Sequence, residues 1–232
     1  MAEDTSRGRA ALAAALGGAL IGLSPIAVRL SEVGPHATNT WRFLFALPIL
    51  GVWAATSRPI PTTRQVGLLV TAGLLFGLEV SLWAAALGLT TVVNATLLVN
   101  LTPVFAAVCG WILFKERLSR PILFGGATAL IGALVLAFAR AQSASGPAGD
   151  ATHGWIGDAI AISGALFYAG YLLMVRALGR EVSVGALMFW ATLGAAIVTA
   201  TLSFSFHENI WPHSLWGWAD LVGLGLIVQI GG

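Results

Sequence analysis

The chain reads as long apolar runs separated by short polar punctuation. A helix needs about 20 apolar residues to cross the roughly 30 Å hydrocarbon layer of a membrane. Runs of that kind lie at residues 10–30, 37–55, 65–87, 91–114, 121–139, 155–175 and 183–205. An eighth begins near Leu215 and is still apolar at Gly232. None alternates with the period of two that a strand shows, and each is too long for a barrel strand of about ten residues. The pattern predicts an all-α integral membrane protein. Ser24-Pro25 and Thr102-Pro103 put a proline inside the first and fourth runs, where it removes a backbone donor and is expected to break the helix.

Composition narrows the class. Of 232 residues, 57% are hydrophobic and 9% charged, with a mean hydropathy of +0.87. A soluble domain carries about 25% charged residues, so a soluble enzyme, a secreted disulfide scaffold and a disordered chain are all excluded. The single cysteine, Cys109, allows no internal disulfide and reads as a small apolar residue. A net charge of +2 gives no reason to expect nucleic acid.

The placement of charge is more informative. With the N-terminus in the cytoplasm, the inner segments hold Arg7, Arg9, Arg58, Arg64, Lys115, Arg117, Arg120, Arg176 and Arg180. The outer side keeps Arg29, Arg42 and Arg140, a clear positive-inside bias. Trp53 and Trp111 then fall at the inner interface, and Trp41, Trp155, Trp211, Trp216 and Trp218 near the outer one. The first run also resembles a signal peptide, but its length and the closing Arg29 favour a retained span.

A Gly/Ser/Ala-rich linker at 141–152 follows the fifth run and suggests two halves. Leu16-Gly17-Gly18-Ala19-Leu20 and Ile162-Ser163-Gly164-Ala165-Leu166 open runs that close on Arg29 and Arg176, each followed by a span bearing Trp41 or Trp190. Five spans per half is an odd number, so the second half must enter the membrane from the opposite side. That is an inverted-topology repeat, a common build for secondary transporters. A complete second half would then need roughly two further helices, about 55 to 60 residues, beyond Gly232.

The fourth run carries a recognisable pattern. Asn94-Ala95-Thr96 opens it, Thr102-Pro103 lies at its centre, and it ends in Phe114-Lys115-Glu116-Arg117-Leu118-Ser119. With Gly125, Gly126 and Gly132 in the fifth run and Arg42-Phe43-Leu44 in the second, the chain resembles the EamA-type repeat of the drug/metabolite transporter superfamily. Lys115 stands where a glycine is usual, and the Trp-Gly often found in the first span is missing. Within the superfamily the chain looks most like the YddG-type exporters of aromatic amino acids. The resemblance implies two inverted five-helix repeats, ten helices in full with about eight present here, both termini inside, and a multi-pass place in the bacterial inner membrane. It divides the chain into a first repeat at 1–139, a periplasmic linker at 140–154 and an incomplete second repeat at 155–232. It implies a small-molecule cargo, no cofactor, no metal and no catalytic residue. A fold with both halves in one chain can work as a monomer.

Ionisable groups inside a span cost about 2.5–3.5 kcal/mol on insertion scales and usually face a cavity or a partner. Glu79 is the one acid well inside a span, and Trp83 follows it by one turn. Such a pair could hold the ammonium and ring of an amino acid, or Glu79 could lock helices by pairing with Arg42, which is expected at the outer end of its helix. Asn100 precedes Pro103, whose missing donor frees a carbonyl near Val99; amide and carbonyl would form a ligand pair. Tyr168 and Tyr171 lie three apart near mid-membrane and suit an aromatic cargo, or simply pack. Ser24, Glu79, Asn100 and Tyr168 converge from four helices at one depth, as a midplane site requires. The expected binding set is Ser24, Glu79, Trp83, Asn100, Tyr168 and Tyr171, with Pro25, Pro103 and Trp190 as helix breaks or gates.

Other classes fit less well. Neither a Gly-x-Ser-Gly with a deep histidine partner nor clustered histidines are present, which disfavours an intramembrane enzyme. Other cargoes on the same fold remain open: a drug cation, a purine or a nucleotide-sugar.

Overall fold

The computed structural model describes residues 17–22, 24–115, 124–132, 135 and 154–231. Helix dominates, and no strand occurs among the described residues. A helical stretch at 17–21 precedes α1 (Ser24–Leu30), which is followed by α2 (Pro35–Thr56), α3 (Thr63–Leu89), α4 (Val92–Val99) and α5 (Thr102–Phe114). Helical residues 124–132 belong to the expected fifth span, the rest of which lies outside the described residues. Next come α6 (Gly154–Leu178), α7 (Val184–Ser205) and α8 (Leu215–Gly223). A π-helical turn, Leu224–Val228, and a short α9 (Gln229–Gly231) extend α8. The linker, the charged stretch at 116–120 and the first 16 residues also lie outside the described residues.

Helix limits follow from caps at the polar punctuation. The Thr62 side chain accepts from the Gln65 N–H while Gln65 reaches back to the Thr62 N–H, a reciprocal box that opens α3. Thr91, Ser183 and Ser214 cap α4, α7 and α8 in the same sense. Both expected proline breaks are present. Pro25 lies in the first turn of α1 after the turn at Gly22, and Pro103 in the first turn of α5. The fourth run is thus two helices, α4 and α5, joined at Asn100-Leu101. Among the described residues, four segments are long and apolar enough to cross a membrane: Thr63–Leu89, Val92–Ile112, Gly154–Leu178 and Val184–Ser205.

The core is a bundle in which α3 packs against α6 and α7, and α2 against α7. The α6 helix also covers α4 and α5, and the π-helical turn lies on α2. Small residues set the closest approach. A Cβ on Gly73 would run into the backbone of Ala191, and one on Gly77 would come within 2.8 Å of the Ala195 Cα. Gly194 reciprocates, with its missing Cβ directed at Val70 and at the Gly73 Cα, 2.9 Å away. Without a hydrophobic drive between helices in lipid, such backbone contact supplies the packing that holds them. Phe43, Val80, Ala195 and Ala196 fill the junction of α2, α3 and α7 beside it.

Charge is unequally divided between the ends of the bundle. Around the α2–α3 and α6–α7 turns lie Arg58, Arg64, Arg176 and Arg180, with Gln65 donating to Glu181 at 3.1 Å. The opposite end carries Glu32, Asp158 and Glu208 beside Arg29, whose Nη2 donates to the Leu87 carbonyl at 3.3 Å, and here Thr90 donates to Asp158 at 2.8 Å.

The α3–α7 crossing makes a direct prediction. Gly73→Leu must push two backbones apart, a cost at or above the roughly 1–3 kcal/mol of ordinary overpacking. Its melting temperature in detergent should fall sharply. Gly67→Ala, on the same helix with nothing within 4 Å of the added Cβ, should melt at or slightly above the parent temperature.

Candidate functional site

A line of polar side chains crosses the middle of the bundle. Arg42, about two turns into α2, is 8% exposed. Its Nε donates to the Gln229 Oε1 at 3.0 Å and its Nη1 to the Ser24 Oγ at 3.4 Å. The Gln229 Nε2 in turn donates to the Thr192 Oγ1 at 3.2 Å. Four elements, α1, α2, α7 and the end of the α8 extension, are tied at one point. The π-helical turn sets the aim of Gln229: the Gln229 N–H returns to the Leu224 carbonyl, so five residues fill the turn. Gly225, within that turn, lets it press on α2, since a Cβ there would come 2.9 Å from the Arg42 carbonyl.

Beside this line stands an aromatic stack. Phe76 and Tyr171 stack with ring centroids 5.0 Å apart, and Tyr168 and Tyr171 lie nearly parallel at 5.7 Å. Phe43 joins Phe76 at 5.8 Å. Glu79, one turn beyond Phe76 on α3, is 7% exposed and has neither a hydrogen bond nor an ion pair among the described residues. Gly164 of α6 lies against the backbone of Glu79 and Trp83, which lets α6 bring its two tyrosines up to α3. A buried carboxylate with open lone pairs beside stacked rings and a buried guanidinium can hold a small molecule that has a charged head and an apolar body.

The structure brings together Ser24, Glu79, Tyr168 and Tyr171 from the expected set, and it separates the other two. Trp83 shares its face with Glu79 by spacing, but it packs into the cluster of Ala84, Leu87, Leu98 and Ala161, between α3, α4 and α6. Asn100 is exposed at the α4–α5 junction, with its N–H on the Thr96 carbonyl. The carbonyl that Pro103 frees at Val99 accepts the Thr102 hydroxyl at 2.6 Å, so it forms no ligand pair with Asn100. A threonine next to the proline satisfies the orphan acceptor locally. Pro25 and Pro103 are helix breaks as expected. Trp190 meets Phe189 edge-on at 5.1 Å and packs with Leu69, Leu178 and Leu187.

Arg42 is a further correction. It is not a residue of the outer interface but a buried member of the central line. Gln229, Thr192 and Phe76 were missed in the sequence. Phe76 had a signal, three residues before Glu79 on one helix face. Gln229 had none, because an α-helical register does not anticipate a π turn.

The comparison with known families is decisive for the class. The EamA-like transporter family matches residues 8–138, more than half the chain. The chain belongs to the EamA-like transporter family. Neither a curated protein nor a solved structure matches it. Membership makes this a multi-pass membrane transporter rather than an enzyme, with a small molecule as its cargo.

In this EamA-like transporter the acidic end of the bundle is closed by two carboxylates that cap each other's neighbours. Glu208, in the α7–α8 loop, accepts the His36 and Ala37 N–H groups at 3.0 and 2.8 Å, capping α2. Glu32, in the α1–α2 loop, accepts the His213 and Ser214 N–H groups at 2.8 and 3.0 Å and a short bond from the Ser214 hydroxyl. Trp41 donates to the Ile210 carbonyl at 2.8 Å and meets Trp218 and Trp211 at 5.1 and 5.5 Å, so the two loops and an aromatic cluster seal this end.

The bonds from Ser214 and His213 hold the Glu32 carboxyl below its usual range. A depressed folded value means that its contribution is present above the ordinary carboxylate range and is lost as pH falls through the lowered one. Acidification should therefore release the start of α8, seen as faster hydrogen exchange across residues 211–218. Glu32→Gln should exchange fast at neutral pH and show little further response to acid.

Proposed function

We propose that this transporter exports amino acids, aromatic or otherwise large and hydrophobic, together with related metabolites, across the bacterial inner membrane. The cargo would pass by alternating access through a central cavity between two inverted five-helix repeats, with the N-terminus in the cytoplasm and no chemistry done on it. The observation that carries this reading is the Phe76–Tyr171–Tyr168 stack placed against the buried Glu79. Rings stack best on offset or parallel rings, worth about 0.5–1.5 kcal/mol beyond area burial. A buried carboxylate is the natural partner of an ammonium. In this reading Glu79, Tyr168 and Tyr171 touch the cargo, Phe76 extends the ring face, and Ser24 acts through Arg42. Asn100, Trp83 and Trp190 lie outside the immediate site.

Two features support the transport geometry. The site is built from α2 and α3, of the first half, and α6, α7 and the α8 extension, of the second, so relative rocking of the halves would reshape it. The basic residues at one end of the bundle and acidic residues at the other agree with a cytoplasmic N-terminus. Glu79 permits proton coupling. A second reading has its own support: a carboxylate flanked by aromatic rings also suits an organic drug cation.

The test is uptake into proteoliposomes made with the full-length protein. Labelled Phe and Trp should enter faster than Thr, and Tyr171→Ala should cost the aromatic pair about tenfold, the equivalent of one lost ring contact. Asn100→Ala should stay within about twofold of the parent. Entry of tetraphenylphosphonium without any amino acid would move the assignment to drug cations. If Glu79 couples protons, Glu79→Gln should lose the response to an imposed pH gradient. An undiminished response in that variant would assign coupling to another group, and no response in the parent would mean facilitated diffusion.

A further inference from the structure

The central pair of charges is arranged unlike a structural salt bridge. A buried ion pair offsets its desolvation only with direct contact and hydrogen bonds to the remaining groups. Here Arg42 and Glu79 are both buried, yet no direct ion pair joins them among the described residues. Each also keeps open valences. A guanidinium has five N–H donors in a planar fork. Arg42 uses its Nε on Gln229 and its Nη1 on Ser24, and its Nη2 has no partner among the described residues. Both bonds run to neutral oxygens, which orient the fork without neutralising it. Thr192, accepting from the Gln229 amide N–H, fixes which way that amide points and leaves its oxygen for Arg42. The fork is aimed and still charged.

We infer that Arg42 binds the carboxylate of the cargo, so that a free carboxylate is a requirement for recognition. The inference rests on the amino-acid reading for its other pole, the ammonium at Glu79. A buried guanidinium and a buried carboxylate, joined by no direct ion pair among the described residues, match the two ends of a zwitterion and leave the site neutral when it is filled. A phosphorylated cargo would set its second negative charge against Glu79. A simple cation would leave Arg42 uncompensated. Ser24, Gln229 and Thr192 are then positioning residues: they hold the fork and do not touch the cargo.

The experiment uses the full-length protein in proteoliposomes and follows competition against labelled Phe by Phe, its methyl ester, phenethylamine and 3-phenylpropanoate. In the parent, the two compounds without a carboxylate should compete at least about tenfold more weakly than Phe, as expected when a buried charged donor loses its partner. Arg42→Gln should remove that discrimination. Glu79→Gln should keep it and relax the demand for the ammonium, so that 3-phenylpropanoate gains relative to Phe. Gln229→Ala, which keeps the charge but frees the fork, should narrow the ratio without abolishing uptake, and it serves if Arg42→Gln does not fold. A methyl ester that competes as well as Phe in the parent overturns the assignment, as does an unchanged ratio in folded Arg42→Gln; in both cases amino-acid export stands. Absence of amino-acid uptake, with 3-phenylpropanoate raising the melting temperature of the parent but not of Arg42→Gln, has the reverse meaning. The cargo reading then falls and the carboxylate site stands. No uptake and no stabilisation by any carboxylate overturns both.

Discussion

The centre of this molecule depends on keeping the Arg42 guanidinium charged inside a helical bundle. A charge at membrane depth must find polar partners, and the chain supplies them from elements distant in sequence. Ser24 comes from a helix that a proline has restarted, and Gln229 from a helix that a π turn has rotated. Thr192 comes from α7, whose backbone touches that of α3 at Gly73, Gly77 and Gly194. The first two are local departures from the cheapest helix. A restarted or rotated helix can aim a hydroxyl or an amide at a point that the regular register would miss.

The glycine crossing of α3 and α7 belongs to the same constraint. Gly73, Gly77 and Gly194 allow backbone contact, which places the Ala195 region against Phe43 and Val80 and leaves the opposite face of α3 for α6. Phe76 therefore meets Tyr168 and Tyr171. Bulk on the α7 side would move α3 and open the stack. The close packing and the site are two faces of one helix.

Much of this was legible in the residues. Apolar runs bounded by Thr62, Thr91 and Ser183 located helices to within a few residues, because a hydroxyl that accepts an N–H is a physical stop in a chain with few other polar groups. Pro25 and Pro103 located the breaks for the same reason. What could not be read was the choice each orphan group makes among nearby partners. The Val99 carbonyl had Asn100 and Thr102 within reach, and the shorter side chain closed the loop. Trp83 follows Glu79 by one turn, yet a large ring on a helix flank goes where the gap is, and the gap lies between α4 and α6. Arg42 looked like an interfacial residue because arginine usually is one. The rotated register at Gln229 and the restarted helix at Ser24 supply the oxygens that make its burial tolerable.

The two ends of the bundle are held in different ways, and this bears on how such a transporter could open. At the basic end Gln65 donates a neutral amide N–H to Glu181 between exposed side chains, and a tie of that kind contributes little. At the acidic end the ties are carboxylates on helix N-termini, where the helix dipole and the free N–H groups both favour negative charge, with an indole bonded across the loops. Opening that end means breaking several charge-assisted bonds together. In the proposed transport cycle the energy to release Glu32 and Glu208 would have to come from filling the site at Arg42 and Glu79.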